Sequence, residues 1–159
     1  MNIGSGNTYP ANSLSNFSPH PFELDGIKIN SMEGFLQSVK FKSVEMREEV
    51  CKLVGFVAKS KGKHKNWQES QILYWRGVPI KRSSIEYQNL LDRAYTALYT
   101  NTKFKNALEA SDNAMLTHSI GKSDEKQTVL TIKEFCSRLT KLRDFGTLEN
   151  TKKESKELF

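Results

Sequence analysis

Apolar side chains recur at helical spacing along much of the chain. In residues 83–101 they recur at helical spacing, at Ile85, Leu90/Leu91, Ala94/Tyr95 and Leu98. This spacing places them on one face of a helix, so the segment is predicted to be amphipathic and to bury that face. Ser83 followed by Glu86 fits a capping box at the start of this helix.

Other segments carry a similar pattern or a helix-start signal. Ser31 and Ser43 are good N-cap residues, and Thr131 with Glu134 repeats the capping-box pattern. Gly62 is a typical helix end. The chain therefore has predicted helices over residues 32–42, 44–62, 66–74, 104–110 and 131–145.

Strand signals are fewer and shorter. Asp25-Gly26 is a favoured turn pair between two extended pieces, so residues 22–29 are predicted to form a hairpin. Residues 128–131 are predicted to form a brief strand, and residues 77–83 are predicted to be an irregular connector.

These elements indicate one α+β domain that is mainly α-helical, with a few short strands. The chain has 159 residues, which is about the size of a single domain with its own core. Strands do not alternate with helices, so a doubly wound parallel sheet is not expected. The domain is predicted over residues 1–145, and residues 146–159 are predicted to be a polar tail, either a frayed helix or a disordered segment.

The charge of the chain favours anionic partners. Lys and Arg outnumber Asp and Glu by 24 to 18, which gives a formal net charge of +6, and the isoelectric point is near 9.3. Nucleic acids, nucleotides and phosphorylated metabolites suit such a balance. Because the basic residues are spread along the chain, a solvated surface with a positive bias explains the charge equally well.

Several classes of protein are disfavoured by what the sequence lacks. No apolar run approaches the roughly 20 residues of a membrane helix, and the first residues lack the basic and apolar regions of a secretory signal. Cys51 and Cys136 lie in apolar, helix-like settings and are expected to be reduced and buried. We therefore expect a cytoplasmic protein that does not bind a membrane and that needs neither a metal nor a cofactor.

The predicted helix over residues 32–42 carries a polar stripe. Glu33, Gln37 and Lys40 lie within roughly 40° of one another on an ideal helix. The residues around them are apolar: Phe35, Leu36, Val39 and Phe41. Buried ions are costly unless they are paired and hydrogen-bonded, so the stripe either faces solvent or lines a polar pocket.

The region around this stripe resembles the signature of the NADAR family, also called YbiA-like. The matching elements stand in one ordered spacing: Leu14-Ser15-Asn16-Phe17, Pro21-Phe22, Asp25-Gly26, Ser31-Met32-Glu33, Gln37 and Lys40-Phe41. The later part matches less closely, and its W-G-x-G loop corresponds to residues 117–121, with His118 or Ser119 where an aromatic is usual. The resemblance covers residues 12–143, is closest to small members from tailed phages, and implies the YbiA-like fold.

The resemblance implies N-glycosidase chemistry, in which the bond between a ribose anomeric carbon and a nitrogen is cleaved. The family's substrates include phosphorylated intermediates of the riboflavin pathway and ADP-ribose attached to guanine bases. Positive charge builds on the sugar, and a fixed carboxylate such as that of Glu33 stabilises it. Lys40 can bind a phosphate as a plain cation or, once desolvated, attack the anomeric carbon and form a Schiff base. We prefer the second role.

Substrate-binding residues are predicted around these two catalytic residues. Asn16 can hydrogen-bond ribose hydroxyls or close an Asx-turn, and Phe17 can form a wall of the pocket. Gln37 can orient Glu33. Trp75, like Trp67, can stack on a base or belong to the core.

Phosphate contacts are predicted at two further places. His118, Ser119 and Gly121 lie in a loop whose backbone N–H groups can cradle a phosphate, with a plain loop as the alternative. Arg76 and Arg82 flank the predicted connector and can bind phosphate or simply be solvated.

Two other functions fit the same residues. The altered loop at His118 is compatible with a catalytically weak protein that binds ADP-ribose or another nucleotide without turnover. Residues 59–65 and 76–82 are basic, which is compatible with nucleic-acid binding. The expected partner is thus an ADP-ribosyl or phosphoribosyl substrate, free or carried on nucleic acid, in the host cytoplasm if the protein is phage-encoded.

Overall fold

The computed structural model describes residues 1–149, which form six helices and four short strands. The strands are β1 (Phe22–Leu24), β2 (Ile27–Ile29), β3 (Ile72–Trp75) and β4 (Val78–Lys81). The helices are α1 (Met32–Ser38), α2 (Val44–Cys51), α3 (Gly55–Gly62), α4 (Ile85–Leu98), α5 (Thr102–Ala110) and α6 (Ile132–Phe145). The predicted helix-rich α+β class is confirmed.

The strands form two separate antiparallel hairpins, β1–β2 and β3–β4. The first is the predicted Asp25-Gly26 hairpin, with φ of 51° and 77° at its turn residues. The second contradicts the prediction of a helix over residues 66–74 followed by a connector. Arg76 and Gly77 form its turn with φ of 52° and 78°.

Other boundaries also differ from the sequence pattern. The predicted helix over residues 44–62 is two helices, because Val54 is extended and Gly55 has a φ of 57°. The predicted helix over residues 32–42 ends at Ser38. Residues 128–131 form no strand, and Thr131 makes a single bridge to Lys122.

Helix capping was predicted correctly at α1, α2 and α6, whose N-caps are Ser31, Ser43 and Thr131, and wrongly at α4. The capping box of Thr131 and Glu134 is present at the start of α6. In α4, however, the cap is Ser84, whose hydroxyl accepts from the Tyr87 N–H group, and Ser83 is exposed. The apolar face of α4 is buried as predicted, except that Ile85 is 64% exposed.

α1 lies in the interior of the molecule, between α2 and α3, and all seven of its residues are buried. Gly34 allows this close packing, since a Cβ atom there would lie 2.7 Å from the Leu53 carbonyl oxygen. α4 packs on β1, β4 and α6 and contributes six buried residues to the core. The polar stripe of α1 is therefore an interior feature.

Both cysteines are free; Cys51 is buried, but Cys136 is only partly so. Within residues 1–149, no helix combines the length and the apolar character that crossing a membrane requires. Most of the predicted polar tail, residues 150–159, lies outside the described residues.

Candidate functional site

A cleft of about 340 Å³ opens beside α1, and we call it the α1 cleft. Glu33 and Lys40, the two predicted catalytic residues, both line this cleft, so their carboxylate and amine share one cavity. Other walls come from the end of α3 and from loops distant in sequence. The main lining residues are Asn16, Phe17, Glu33, Leu36, Gln37, Lys40, Lys59, Lys63, Trp67, Gln68, His118, Ile120, Gly121, Lys122 and residues 127–130.

Among the described residues that line the cleft, Glu33 is the one carboxylate, and 8% of its surface is exposed. Ser31 caps α1 through the Gly34 N–H group, and the Glu33 N–H group donates to the Asn16 carbonyl at 2.9 Å. The Gln37 amide donates to a Glu33 carboxylate oxygen at 2.8 Å. Burial raises the pKa of Glu33, and this hydrogen bond and the nearby charge of Lys40 partly offset the rise.

Lys40 follows α1 and points its amine at the end of α3. Its Nζ atom lies 3.5 Å from the Gly62 carbonyl oxygen, a long contact for a hydrogen bond. Burial lowers the pKa of Lys40, although the charge of Glu33 opposes the shift. Among the described residues, Glu33 and Lys40 form no ion pair within 4 Å, so neither group is neutralised by direct contact with the other.

The loop before β1 supplies Asn16 and Phe17, both half-buried at the cleft. The Asn16 side chain does not form an Asx-turn. Its Oδ1 atom accepts from the hydroxyl of Tyr95, in α4, at 2.9 Å. The Phe17 ring forms a wall of the cleft, and the Lys59 ammonium lies 5.8 Å from its centroid.

The loop over residues 117–121 lies at another side of the cleft, where His118 and Gly121 both line it. His118 Nδ1 donates to the Ile3 carbonyl at 2.8 Å, and its ring packs edge-on against Phe135 at 5.1 Å. A Cβ atom at Gly121 would lie 2.7 Å from the His118 ring, so the glycine leaves room for it. Ser119 instead points away and pairs with Asn2 on the exposed surface.

Three lysines of the cleft were not singled out from the sequence as site residues: Lys59, Lys63 and Lys122. They surround the opening with positive charge, as an anionic ligand requires. The four-residue spacing of Lys59 and Lys63 is a signal that could have placed both on one helix face. Nothing in the sequence signals Lys122, because it reaches the cleft through tertiary packing. Trp67, 4% exposed, also lines the cleft.

A family model described as bacteriophage protein GP30.3 matches residues 8–144. The chain belongs to this family. It is also 39% identical over 147 residues to an uncharacterized 17.1 kDa protein in the Gp30-rIII intergenic region of Enterobacteria phage T4, covering 91% of this chain and 97% of that protein.

The fold of this GP30.3-family chain is similar to the NMR structure of the E. coli protein YbiA. The two share 19% sequence identity, with a TM-score of 0.59, over 91% of this chain and 82% of YbiA. The prediction of a phage-type protein with a YbiA-like fold is confirmed.

Two predicted ligand contacts of the GP30.3-family chain lie outside the α1 cleft. Trp75 is buried, its ring packs edge-on against Phe35, and its Nε1 donates to Asp25 at 2.8 Å. Arg76 is exposed in the β3–β4 turn. Both border a more open hollow of about 850 Å³ between β4 and α4. That hollow lacks a buried carboxylate or amine, so the α1 cleft is the better candidate for chemistry.

Arg82 was predicted to bind phosphate, and the structure places it inside the protein instead. It is fully buried and forms a two-pronged ion pair with Glu134, at 2.6 and 3.0 Å. Its Nε donates to the Thr128 carbonyl, in the wall of the cleft, at 2.9 Å. With these donors already engaged, Arg82 supports the cleft wall and lies behind it.

Proposed function

We propose that this protein is an N-glycosidase that hydrolyses the N-ribosyl bond of an ADP-ribosyl or ribosyl-phosphate substrate, such as ADP-ribose on guanine. The observation that carries the proposal is the buried Glu33 carboxylate, oriented by Gln37 and open to the same cleft as Lys40. Family membership and the YbiA-like fold support it.

In this proposal Glu33 stabilises the positive charge that develops on the substrate. As the C–N bond breaks, its electron pair leaves with the base and positive charge develops on the ribose ring. A carboxylate in a water-poor site stabilises this charge far better than one in bulk water. The charge of Lys59, and that of Lys40 while its amine is protonated, favour the ionised form of Glu33 and so oppose the effect of burial on its pKa.

Lys40 is proposed as the nucleophile. Its lowered pKa, caused by burial, increases the share of free amine that can attack the anomeric carbon. Attack breaks the C–N bond to the base, which takes up the proton that the lysine nitrogen loses. The bond between the anomeric carbon and the ring oxygen then breaks, the oxygen takes up a proton from water, and an iminium ion forms on Lys40. Water then adds to the iminium carbon and releases the ribosyl group with the amine restored.

The remaining residues of the cleft bind the substrate in this proposal. Lys59, Lys63 and Lys122 attract its phosphates by charge. Asn16 and Phe17 contact the sugar, and His118 and Gly121 line another part of the cleft. Trp67 contacts a base in this proposal: stacking was predicted for either Trp67 or Trp75, and of the two Trp67 lines the cleft.

The first experiment separates the candidate substrates. Purified protein is incubated with ADP-ribosylated guanine in DNA and, separately, with a phosphorylated pyrimidine intermediate of riboflavin synthesis, and release is measured by chromatography. We expect release from one of the two by the wild type and loss of it in Lys40→Ala. Lys28→Ala, an exposed lysine outside the cleft, is the control and should retain the wild-type rate.

The other outcomes of this experiment favour the alternative functions. Tight binding of ADP-ribose without release from either substrate supports a nucleotide-binding protein. Binding of unmodified DNA that falls steeply with salt, with no preference for the modified base, supports a nucleic-acid-binding protein. A borohydride adduct on the wild type during turnover supports the Schiff base, and turnover without an adduct would leave Lys40 as a phosphate contact.

A further inference from the structure

Tyr95 lies behind the α1 cleft and makes a contact that the proposed function does not use. It is in α4 and is fully buried. Its hydroxyl group donates to Asn16 Oδ1 at 2.9 Å. This hydrogen bond joins a core helix to a residue of the cleft, across 79 positions of sequence.

The hydrogen bond between the Tyr95 hydroxyl and Asn16 fixes which way the Asn16 side-chain amide is oriented. A buried hydroxyl has one hydrogen, and leaving it without an acceptor is costly. Burial holds the pKa of Tyr95 well above its usual range, so the hydroxyl keeps that hydrogen. Asn16 therefore turns its oxygen to Tyr95, and its Nδ2 group lies on the other side. Within residues 1–149 this Nδ2 group has no protein acceptor, and it is not a buried unpaired atom.

The main chain of Asn16 is fixed as well. Its carbonyl accepts from the Glu33 N–H group at 2.9 Å, so the residue is held by α4 through its side chain and by α1 through its backbone. The Asn16 amide thus has a defined position relative to Glu33. Two hydrogen bonds from two helices are a preorganised arrangement, which reduces the cost of ordering a contact when a ligand binds.

We propose that Tyr95 is a positioning residue that holds Asn16 with its Nδ2 group as a donor to the cleft, and that it makes the cleft selective for a ligand with an oxygen acceptor next to Glu33. This inference rests on the proposed function, in which the acceptor is a ribose hydroxyl. A site with a fixed donor discriminates strongly against an analogue that lacks the acceptor.

The positioning itself is tested without any ligand. The side-chain amide resonances of Asn16 are recorded by NMR in the wild type and in Tyr95→Phe, with Tyr87→Phe as the matched control. Tyr87 is also fully buried in α4, but its hydroxyl donates to the Val129 carbonyl. We expect the Asn16 resonances to shift in Tyr95→Phe and not in Tyr87→Phe. Unchanged resonances in Tyr95→Phe would overturn the proposal.

Selectivity is tested with ADP-ribose as the probe, by calorimetry on the wild type, Tyr95→Phe, Asn16→Ala and the double variant. Loss of one oriented hydrogen bond is expected to weaken binding about fivefold in Tyr95→Phe. If Tyr95 acts through Asn16, the double variant binds as weakly as Asn16→Ala alone. Additive losses, or unchanged affinity in Tyr95→Phe, would overturn the proposal even if that variant is less stable.

The proposed N-glycosidase function and the positioning role of Tyr95 are contradicted by different results. Where turnover is measurable, Tyr95→Phe should raise KM about fivefold and leave kcat within about twofold, since the lost contact serves binding. A kcat loss with unchanged KM would contradict the positioning role. Wild-type protein that binds ADP-ribose but cleaves no substrate would contradict the proposed function, and the binding comparison would still decide the role of Tyr95.

Discussion

Glu33 is a carboxylate in a position where burial disfavours its charge. The cleft compensates in part, through the Gln37 hydrogen bond and the positive charges of Lys40 and Lys59. Among the described residues Glu33 has no ion-pair partner within 4 Å. A buried ionisable group with a perturbed pKa at a cleft is a pattern that is typical of functional sites.

The cost of this charge predicts the pH dependence of stability in Glu33→Gln. The folded-state pKa of Glu33 is raised above its ordinary value of 4.5, so the unfolded chain loses this proton first as the pH rises. Wild-type stability is therefore reduced as the pH rises from the unfolded-state pKa to the folded-state pKa. We expect the free energy of unfolding of Glu33→Gln, relative to wild type, to increase between pH 4 and pH 8 in urea titrations.

Glu23→Gln is the control for that measurement, because it makes the same replacement at an exposed position of β1. The difference in free energy of unfolding between Glu23→Gln and wild type should change less over the same pH range. A Glu33→Gln difference that is constant with pH, or that falls as the pH rises, would show that burial does not disfavour the charge.

At the scale of elements, one of the two hairpins could be predicted from the sequence and the other could not. Their turns have nearly the same φ angles, with two positive values each. Asp25-Gly26 is a recognised sequence for such turns, so the first hairpin was predicted. Arg76-Gly77 is not, and the four apolar residues of β3 suit a buried helix as well as a strand. The second hairpin was therefore missed, and residues 72–74 of β3 were assigned to a helix.

The contact between α1 and α3 depends on the absence of a side chain at Gly62. A Cβ atom there would lie 1.9 Å from Gln37 Oε1, well inside contact distance. Gly62→Ala is therefore expected to displace the Gln37 amide, and with it the hydrogen bond to Glu33 and the contact of Lys40 with the Gly62 carbonyl. We expect the rate, measured under single-turnover conditions, to fall at least tenfold, because displacing Gln37 moves the Glu33 carboxylate that it orients.

Gly6→Ala is the matched control for Gly62→Ala, because a Cβ atom at Gly6 meets nothing within 4 Å. It should keep wild-type activity and stability. Full activity in Gly62→Ala would mean that the position of Gln37 has no bearing on Glu33.

At the scale of the whole molecule, the cleft is assembled from segments far apart in sequence. Glu33, Gln37 and Lys40 could be predicted together because they lie in one short stretch of sequence, although α1 ends before Lys40. Lys122 could not, since only tertiary packing brings it to α1. Arg82 was misassigned for a related reason: charge was visible in the sequence, but its partner Glu134 stands 52 positions away.

The ion pair between Arg82 and Glu134 holds the end of β4 to the start of α6. Arg82→Met leaves Glu134 without its partner and frees the Thr128 carbonyl in the cleft wall. We expect a loss of about 3 kcal/mol in the free energy of unfolding, since one member of a buried pair is removed. Lys52→Met, which breaks the exposed pair with Glu49, should cost less than about 1 kcal/mol. Similar losses in urea titrations of the two variants would contradict the structural role of Arg82.

The central claim is that the Glu33 carboxylate stabilises the breaking of an N-ribosyl bond. Its most direct test is single-turnover release of ADP-ribose from ADP-ribosylated guanine in DNA, by wild type and by Glu33→Gln, with ADP-ribose affinity measured in parallel. We predict that Glu33→Gln slows release at least about 100-fold, as expected for a removed electrostatic stabiliser, while it still binds ADP-ribose. Release by Glu33→Gln at the wild-type rate would contradict the claim.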